Sequence, residues 1–432
     1  MYLNSLDTPF IFDDGQTVLL NPALATPWDL RPVVLRNIAR PVVGVSYAVD
    51  AAFWGLTSFG FHGTNVLLHI VVVGLFYGFC TRALTDARPF GTKASELGLT
   101  PEWAAFFAAT VVAVHPVMSS AVNYVSARSE LLAAAAFLVA LTFARRAIVK
   151  NKATAGWLAV LAGVLAVGSS SSAAVLPVAI LGYDAWVLRD KGWVRRAVRY
   201  YVPAIVAIAI AIALRLPDVL ALPRVPPRGV VTNLVGGAVV VWRYARLLLV
   251  PTGQSLVHEI RWPETALDPV GLLALAGIAA AIVMAVATRR ERPLIALGLI
   301  WFAGVLAPAT LVPVRDGMAE HRLYLASEGF LIAVASVSAT ALATRRLARI
   351  IASTVIVILG ALTFQRNREW RDPMHLWAQA VERAPGAWQA HLGYAELLRD
   401  VRQCAAASNE YREVLRLNAD NATALDGLDK CR

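Results

Sequence analysis

A chain of 432 residues that is 58% hydrophobic and only 16% charged, with mean hydropathy +0.59, does not have the composition of a soluble globular protein. Its net charge of +11 would suit nucleic acid, but the cations stand in short loops between apolar runs, so no nucleic-acid partner is expected. There is no glycine-rich phosphate loop and no Walker lysine, and no His- or Cys-rich stretch has the spacing of a metal site.

In chain order, residues 1–60 form a first loop region that carries "FIFDDGQTVLL", with Asp13 beside Asp14. Ten apolar runs follow at about 61–81, 103–121, 130–144, 155–172, 173–188, 200–216, 269–288, 293–312, 326–344 and 350–364. Most approach the length that a bilayer-crossing helix needs. The expected fold is all-α and polytopic, with about ten spanning helices over residues 1–364. The loops 82–100, 145–152, 189–199, 289–292 and 345–349 hold eighteen Lys/Arg and four Asp/Glu, so the rest of the chain is net negative. If each run crosses once, all five loops share one side, which the positive-inside pattern makes cytoplasmic. Asp13 and Asp14 then lie on the extracytoplasmic side. "MYLNSLDTPF" has neither the charged n-region nor the apolar h-region of a signal peptide, so a spanning helix ahead of it is expected to be missing.

The stretch 231–250, "VTNLVGGAVVVWRYARLLLV", begins and ends on the outer side in this scheme. Arg243 and Arg246 share a helical face beside Trp242 and Tyr244, which suits an interfacial or re-entrant helix. From residue 365 to 432 the sequence is helical and of mixed charge. Trp377 recurs as Tyr411, Ala380 as Val414, Val381 as Leu415 and Pro385 as Ala419, a period of 34 that marks tetratricopeptide (TPR) repeats. About one and a half repeats fit, fewer than the three that stand alone, so the tail is expected to lean on the membrane part or on a partner. Cys80 reads as apolar filler. Cys404 opens a second helix in that frame and Cys431 ends the next first helix, within reach of each other for a disulfide in an oxidising compartment.

Polar residues concentrate on the outer side: Asp13, Asp14, Arg40, His62, His69, His115, Arg128, Glu130, Arg243, Arg246, Glu320, His321, Arg322 and Tyr324. An acid pair among Arg and His suits an anionic, lipid-linked substrate, with carboxylate as base and cations on phosphate. Asp-Asp-Gly is equally a turn signal, and each cation taken alone is an interfacial charge. Their concentration on one side is what points to a site.

The segments "YLNSLDTPFIFDD", "ARPVVGVSYAVDAAFWGLTSFGFHGTNVLLH", "VHPVMSSAVNYVSARSELLAA", "VLPVAILGYD", "WRYARLLLVPTGQSL" and "EHRLYLASEGF" run in this order ahead of the repeat tail. Across nearly the whole chain they resemble the transmembrane-and-TPR O-mannosyltransferases, multi-spanning glycosyltransferases of the GT-C superfamily. The resemblance implies that an acidic residue of the first outer loop, here Asp13 or Asp14, is catalytic. It also implies a polyprenyl-phosphate sugar, mannose-like, as donor. The reaction expected is an inverting transfer to a hydroxyl of an exported protein or glycan. The departing lipid phosphate needs its charge held, for which Arg322, His321, Arg128 and Arg243 are candidates, supported by Glu320, Arg40, His115 and Tyr324. No metal ligands are assigned, and the need for a divalent cation is open. The TPR tail would present the acceptor polypeptide. Where the family pattern has Lys-Glu ahead of the Leu-Pro near 176, this chain has Ser170 and Ser171. The Arg-rich, Lys-poor composition fits a bacterial-type member in an inner membrane, with loop and tail periplasmic. The alternative is a non-catalytic TPR scaffold for envelope assembly; a transporter would need inverted repeats, which the sequence does not display.

Overall fold

The computed structural model describes residues 1–87, 101–189, 192–203, 205–206, 209–210, 213, 229–311 and 317–431. Much of the 82–100 loop, part of the 200–216 run and the segments 214–228 and 312–316 lie outside the described residues. Backbone polar groups in hydrocarbon must be paired within the segment, so apolar runs of this length become helices. The short α1 (Leu30–Arg36) and α2 (Pro41–Trp54) precede α3 (Ser58–Asp86). Next come α4 (Glu102–Val114), α5 (Met118–Asn123), α6 (Arg128–Lys150), α7 (Ala153–Ser169) and α8 (Leu176–Gly182), the last continued by a wider helical turn, Tyr183–Leu188. After α9 (Trp193–Arg196) stand α10 (Val230–Leu249), α11 (Pro269–Ala287), α12 (Pro293–Leu311), α13 (Leu323–Thr344) and α14 (Arg346–Trp370).

Among the described residues, seven helices are long and apolar enough to cross a bilayer: Ser58–Asp86, Val125–Lys150, Ser171–Leu188, Pro269–Thr288, Pro293–Leu311, Glu320–Thr344 and Arg346–Trp370. Glu102–Val114 and Ala153–Ser169 are shorter apolar helices. The chain is thus an all-helical, multi-pass membrane protein. The expected 103–121 run stops early because Pro116 disfavours the helical conformation for His115, which is extended (φ −77°, ψ 130°). Close packing uses small residues: a Cβ on Gly298 of α12 would overlap the Gly329 carbonyl of α13.

The bundle has two chemically distinct ends. At one, all five basic loops or their flanks are tied together. Arg145 pairs with Asp86, which also accepts from Tyr183 OH at 2.7 Å. Arg196 pairs with Asp184 at 2.7 Å, Arg189 donates to the Arg290 carbonyl, and the Arg349 guanidinium lies 5.8 Å over the Trp103 ring. At the other end the first loop, the α4–α6 connection and the segments around 255 and 320 converge. Helix α10 stays there. Asn233 donates to the Thr310 carbonyl at 2.6 Å, Tyr244 donates to the Ala319 carbonyl, and the Leu248 carbonyl accepts from His115 at 3.2 Å. Both ends of α10 therefore meet the same end of the bundle, as an interfacial or re-entrant helix would.

Helix α14 runs unbroken across residues 364–365, and the tail begins at Asp372, whose side chain caps α15 (Pro373–Arg383) by accepting from the His375 N–H. Then follow α16 (Trp388–Asp400), α17 (Cys404–Leu417) and α18 (Ala422–Lys430). The expectation of one and a half repeats is corrected to two full helix pairs. The 34-residue spacing extends to Gly393 and Gly427, and a Cβ on either would overlap the ring of Trp377 or Tyr411. Cys404 opens the first helix of the second pair rather than a second helix, and it is joined to Cys431 with Cα atoms 5.1 Å apart. The bond closes a sequence separation of 27 residues, which stabilises by about 3 kcal/mol through the unfolded state. Cys404→Ser is expected to make α17–α18 as protease-sensitive as the reduced parent, while cleavage of the membrane helices stays unchanged; equal resistance would deny the bond a role.

Candidate active site at the acidic end of the bundle

The two adjacent carboxylates follow one left-handed step. Phe12 has φ 53°, which costs a non-glycine residue roughly 1–2 kcal/mol. Ile11 and Asp14 are buried, whereas Phe12 and Asp13 are exposed. Asp14 Oδ1 accepts from the Ser126 N–H at 2.7 Å and the Ser126 hydroxyl at 2.6 Å. Its Oδ2 accepts from the Ile11 and Val125 N–H groups, both at 3.3 Å. Burial pushes the Asp14 carboxyl up to about 6, although these hydrogen bonds pull it down. Asp14 thus staples the first loop to the turn that opens α6. Asp13 accepts from Tyr124 OH at 3.0 Å, and its backbone carbonyl accepts from the Thr17 N–H at 2.9 Å.

The Tyr124 ring stands 5.9 Å from His321 in the turn Glu320–Arg322. That turn is anchored by Glu320, which accepts from the Ser255 N–H at 2.7 Å and from His258 Nε2 at 2.9 Å. With Glu320 turned inward, His321 and Arg322 remain half-buried at the surface of the cleft. Arg322 and the exposed Arg40 both act electrostatically on His321, and Arg322 also hydrogen-bonds Tyr244. Asp13, Tyr124, His321, Arg322 and Arg40 are therefore brought together: one exposed carboxylate facing a small group of cations across a phenol.

Other expected site residues are placed elsewhere. Arg128 is fully buried, paired with Asp50 at 2.6 Å and donating to Asn65 Oδ1 at 2.7 Å, the Phe61 carbonyl at 2.9 Å and the Ser46 carbonyl at 3.3 Å. Tyr47 and Phe61 rings flank it at 4.9 and 5.3 Å. Its donors are consumed inside the protein, so it locks α6 to α2 and α3 instead of meeting a donor phosphate. Arg243 is exposed and donates to the Glu259 carbonyl at 2.8 Å. His115 is buried between the Val117 N–H and the Leu248 carbonyl, and burial lowers its pKa to about 4. Tyr324 lies buried below the cleft, hydrogen-bonded to His69 at 2.7 Å. Glu130 is buried and accepts from Ser170 at 2.7 Å and Ser172 at 3.0 Å. No group of three or more His, Cys, Asp or Glu among the described residues is arranged to hold a metal ion. Tyr124, Ser126, Ser255 and His258 are not singled out by sequence reasoning, although all but His258 lie in segments that carry the family resemblance.

The fold and the cleft define a multi-pass helical membrane protein with its polar chemistry gathered at one end. Its relatives carry one name. Over 440 residues, 96% of this chain, it is 22% identical to protein O-mannosyl-transferase F38B6.6 of Caenorhabditis elegans, covering 61% of that protein. It is 22% identical to human protein O-mannosyl-transferase TMTC1 over 512 residues, spanning 99% of this chain and 55% of the relative. Mouse protein O-mannosyl-transferase TMTC2 is 30% identical over 154 residues, 33% of this chain and 17% of the relative. The chain therefore spans only part of the curated relatives that it matches. No protein-family model matches it, and no solved structure does.

Two outcomes separate anchoring residues from site residues. Arg128→Met leaves Asp50 buried without its cation, so a loss of roughly 3–5 kcal/mol in stability is expected, read as a lower melting temperature in detergent. Parent-like melting would show that Arg128 does not hold the bundle. The Asp14 carboxyl binds its proton more readily in the folded chain than at its ordinary value of 3.8. Its contribution to stability therefore falls as pH rises from about 4 to about 6, and is flat above. Melting curves across that range should show this slope in the parent and lose it in Asp14→Asn; an unchanged slope would place the titration elsewhere.

Proposed function

We propose that this chain is a membrane glycosyltransferase that moves a mannose-like sugar from a polyprenyl-phosphate donor to a hydroxyl of an exported polypeptide or glycan. The observation that carries this reading is Asp13: an exposed carboxylate held by Tyr124 beside His321, Arg322 and Arg40, at the end of the bundle opposite the basic loops. The relatives named protein O-mannosyl-transferase support it, as does the spacing of an acid from a group of cations. In the reaction, Asp13 takes the proton of the acceptor hydroxyl while that oxygen forms a bond to the anomeric carbon. The bond from that carbon to the phosphate oxygen breaks, its electron pair leaves with the lipid phosphate, and the configuration inverts, as in a GT-C enzyme. Arg322 and Arg40 hold the charge that grows on the phosphate. Asp14 is buried and serves the loop. The Cys404–Cys431 bond supports an extracytoplasmic, periplasm-like location for the tail and, with it, the site.

The deciding experiment compares Asp13→Asn with the parent, using purified protein, a synthetic polyprenyl-phosphate mannose and a hydroxyl-bearing peptide. Asn keeps the size and the contact to Tyr124 but accepts no proton, so transfer is expected to fall by roughly 10²–10⁴-fold with melting unchanged. Transfer at the parent rate would remove Asp13 as base. No transfer by the parent itself would favour a non-catalytic scaffold, the reading that the extended helical tail otherwise suits. Reporters at 145–152 and after Arg432 should behave as cytoplasmic and extracytoplasmic, and the reverse would overturn the sidedness.

A further inference from the structure

We propose that the first helix pair of the tail, α15–α16, is a positioning element of the candidate site, and that Trp377 sets the aim of Asp13. This rests on the glycosyltransferase reading above. Trp377 is buried in α15, its ring 5.5 Å from that of Phe12, and Phe12 in turn lies 5.8 Å from Tyr124. Phe12 is the left-handed residue immediately before Asp13, and Tyr124 is the donor to Asp13. A strained step persists only when its surroundings over-determine it, and here the surroundings include an indole from the tail. That indole is itself seated on Gly393 of α16, where any Cβ would overlap it. Ile11, Tyr124, Trp370 and Leu376 form an adjoining apolar cluster, and Leu256 packs against both it and the cluster of Trp377.

The pair grips the opposite wall as well. Arg383 donates to the Gln254 carbonyl, and the Gly386 N–H donates to Glu259 at 3.1 Å. Between those two anchors, Ser255 and His258 hold Glu320, and with it the turn that presents His321 and Arg322. The carboxylate wall and the cation wall thus meet in one helix pair. The second pair has its own apolar cluster and its own disulfide. An acceptor that engages the tail acts on the geometry of both walls, so turnover as well as acceptor binding depends on α15–α16.

The test uses two equivalent positions 34 residues apart. Trp377→Leu removes the ring that touches Phe12, and Tyr411→Leu makes the same kind of change in the second pair. For Trp377→Leu, kcat is expected to fall about 10- to 100-fold, the scale of a misplaced reacting group, with the acceptor KM nearly unchanged; Trp377→Phe recovers most of it. Tyr411→Leu is expected to keep kcat. Hydrogen exchange at the Asp14, Gln16 and Thr17 amides gives a readout without sugar transfer: faster in Trp377→Leu, unchanged in Tyr411→Leu. Parent-like kcat and exchange in Trp377→Leu, or equal losses in both leucine variants, would overturn the proposal. If the parent transfers no sugar, the glycosyltransferase reading fails while the exchange comparison still decides whether the tail holds the Asp13 loop.

Discussion

The acidic end of this protein depends on one buried carboxylate. Asp14 gathers four donors from Ile11, Val125 and Ser126, and so fixes an otherwise irregular first loop onto the turn where α6 begins. The same turn carries Tyr124, which reaches Asp13, and leads into Arg128, which is held by Asp50, Asn65 and Phe61. A single turn therefore receives the first loop, α2 and α3, and faces His321. Burying a carboxylate and a guanidinium here is tolerable only because every donor or acceptor has a partner within the protein. Beside those anchors Asp13 and Arg40 stay exposed and Arg322 half-buried.

The two ends of the bundle solve different problems. At the basic end, two acids tie segments together: Asp86 serves both Arg145 and Tyr183, and Asp184 serves Arg196. These pairs hold loop flanks together. At the acidic end, polar side chains bind backbone carbonyls and N–H groups of irregular segments, as Asn65, Asn233, His115 and Glu320 do. Irregular backbone at membrane depth is stable only when protein groups satisfy it. This is why α10 can return to the end from which it started.

Much of this was legible in the sequence because it follows from periodicity and charge. The alternation of apolar runs with basic loops foretold which segments share an end, and Arg243 and Arg246 on one face foretold that α10 does not behave as a lipid-facing span. The 34-residue period foretold helix pairs, although the count fell short because the first pair follows α14 after only two residues. What could not be read was the division of labour between identical residue types. Asp13 and Asp14 are neighbours in composition and position, and what marks the buried one is a set of donors from Val125 and Ser126, more than a hundred residues away in the chain. Arg128 and Arg322 both stand at the start of a helix, yet Arg128 meets Asp50 from a helix 78 residues earlier in the chain. Such partners are set by tertiary packing, for which a single sequence carries no local signal.

The place of Ser170 is also clearer in three dimensions. Ser170 and Ser172 donate to the two oxygens of Glu130, which ties the segment after α7 back to α6. The tail follows the same logic of partners. The face of α15 that its partner helix does not cover finds apolar and polar cover on the membrane part. The cover available at that end consists of Ile11, Phe12 and Tyr124 on one side and the 254–259 segment on the other. A helix pair attached directly to α14 therefore meets the first loop and the 254–259 segment together. Its stability and the geometry around Asp13 are bound to the same contacts.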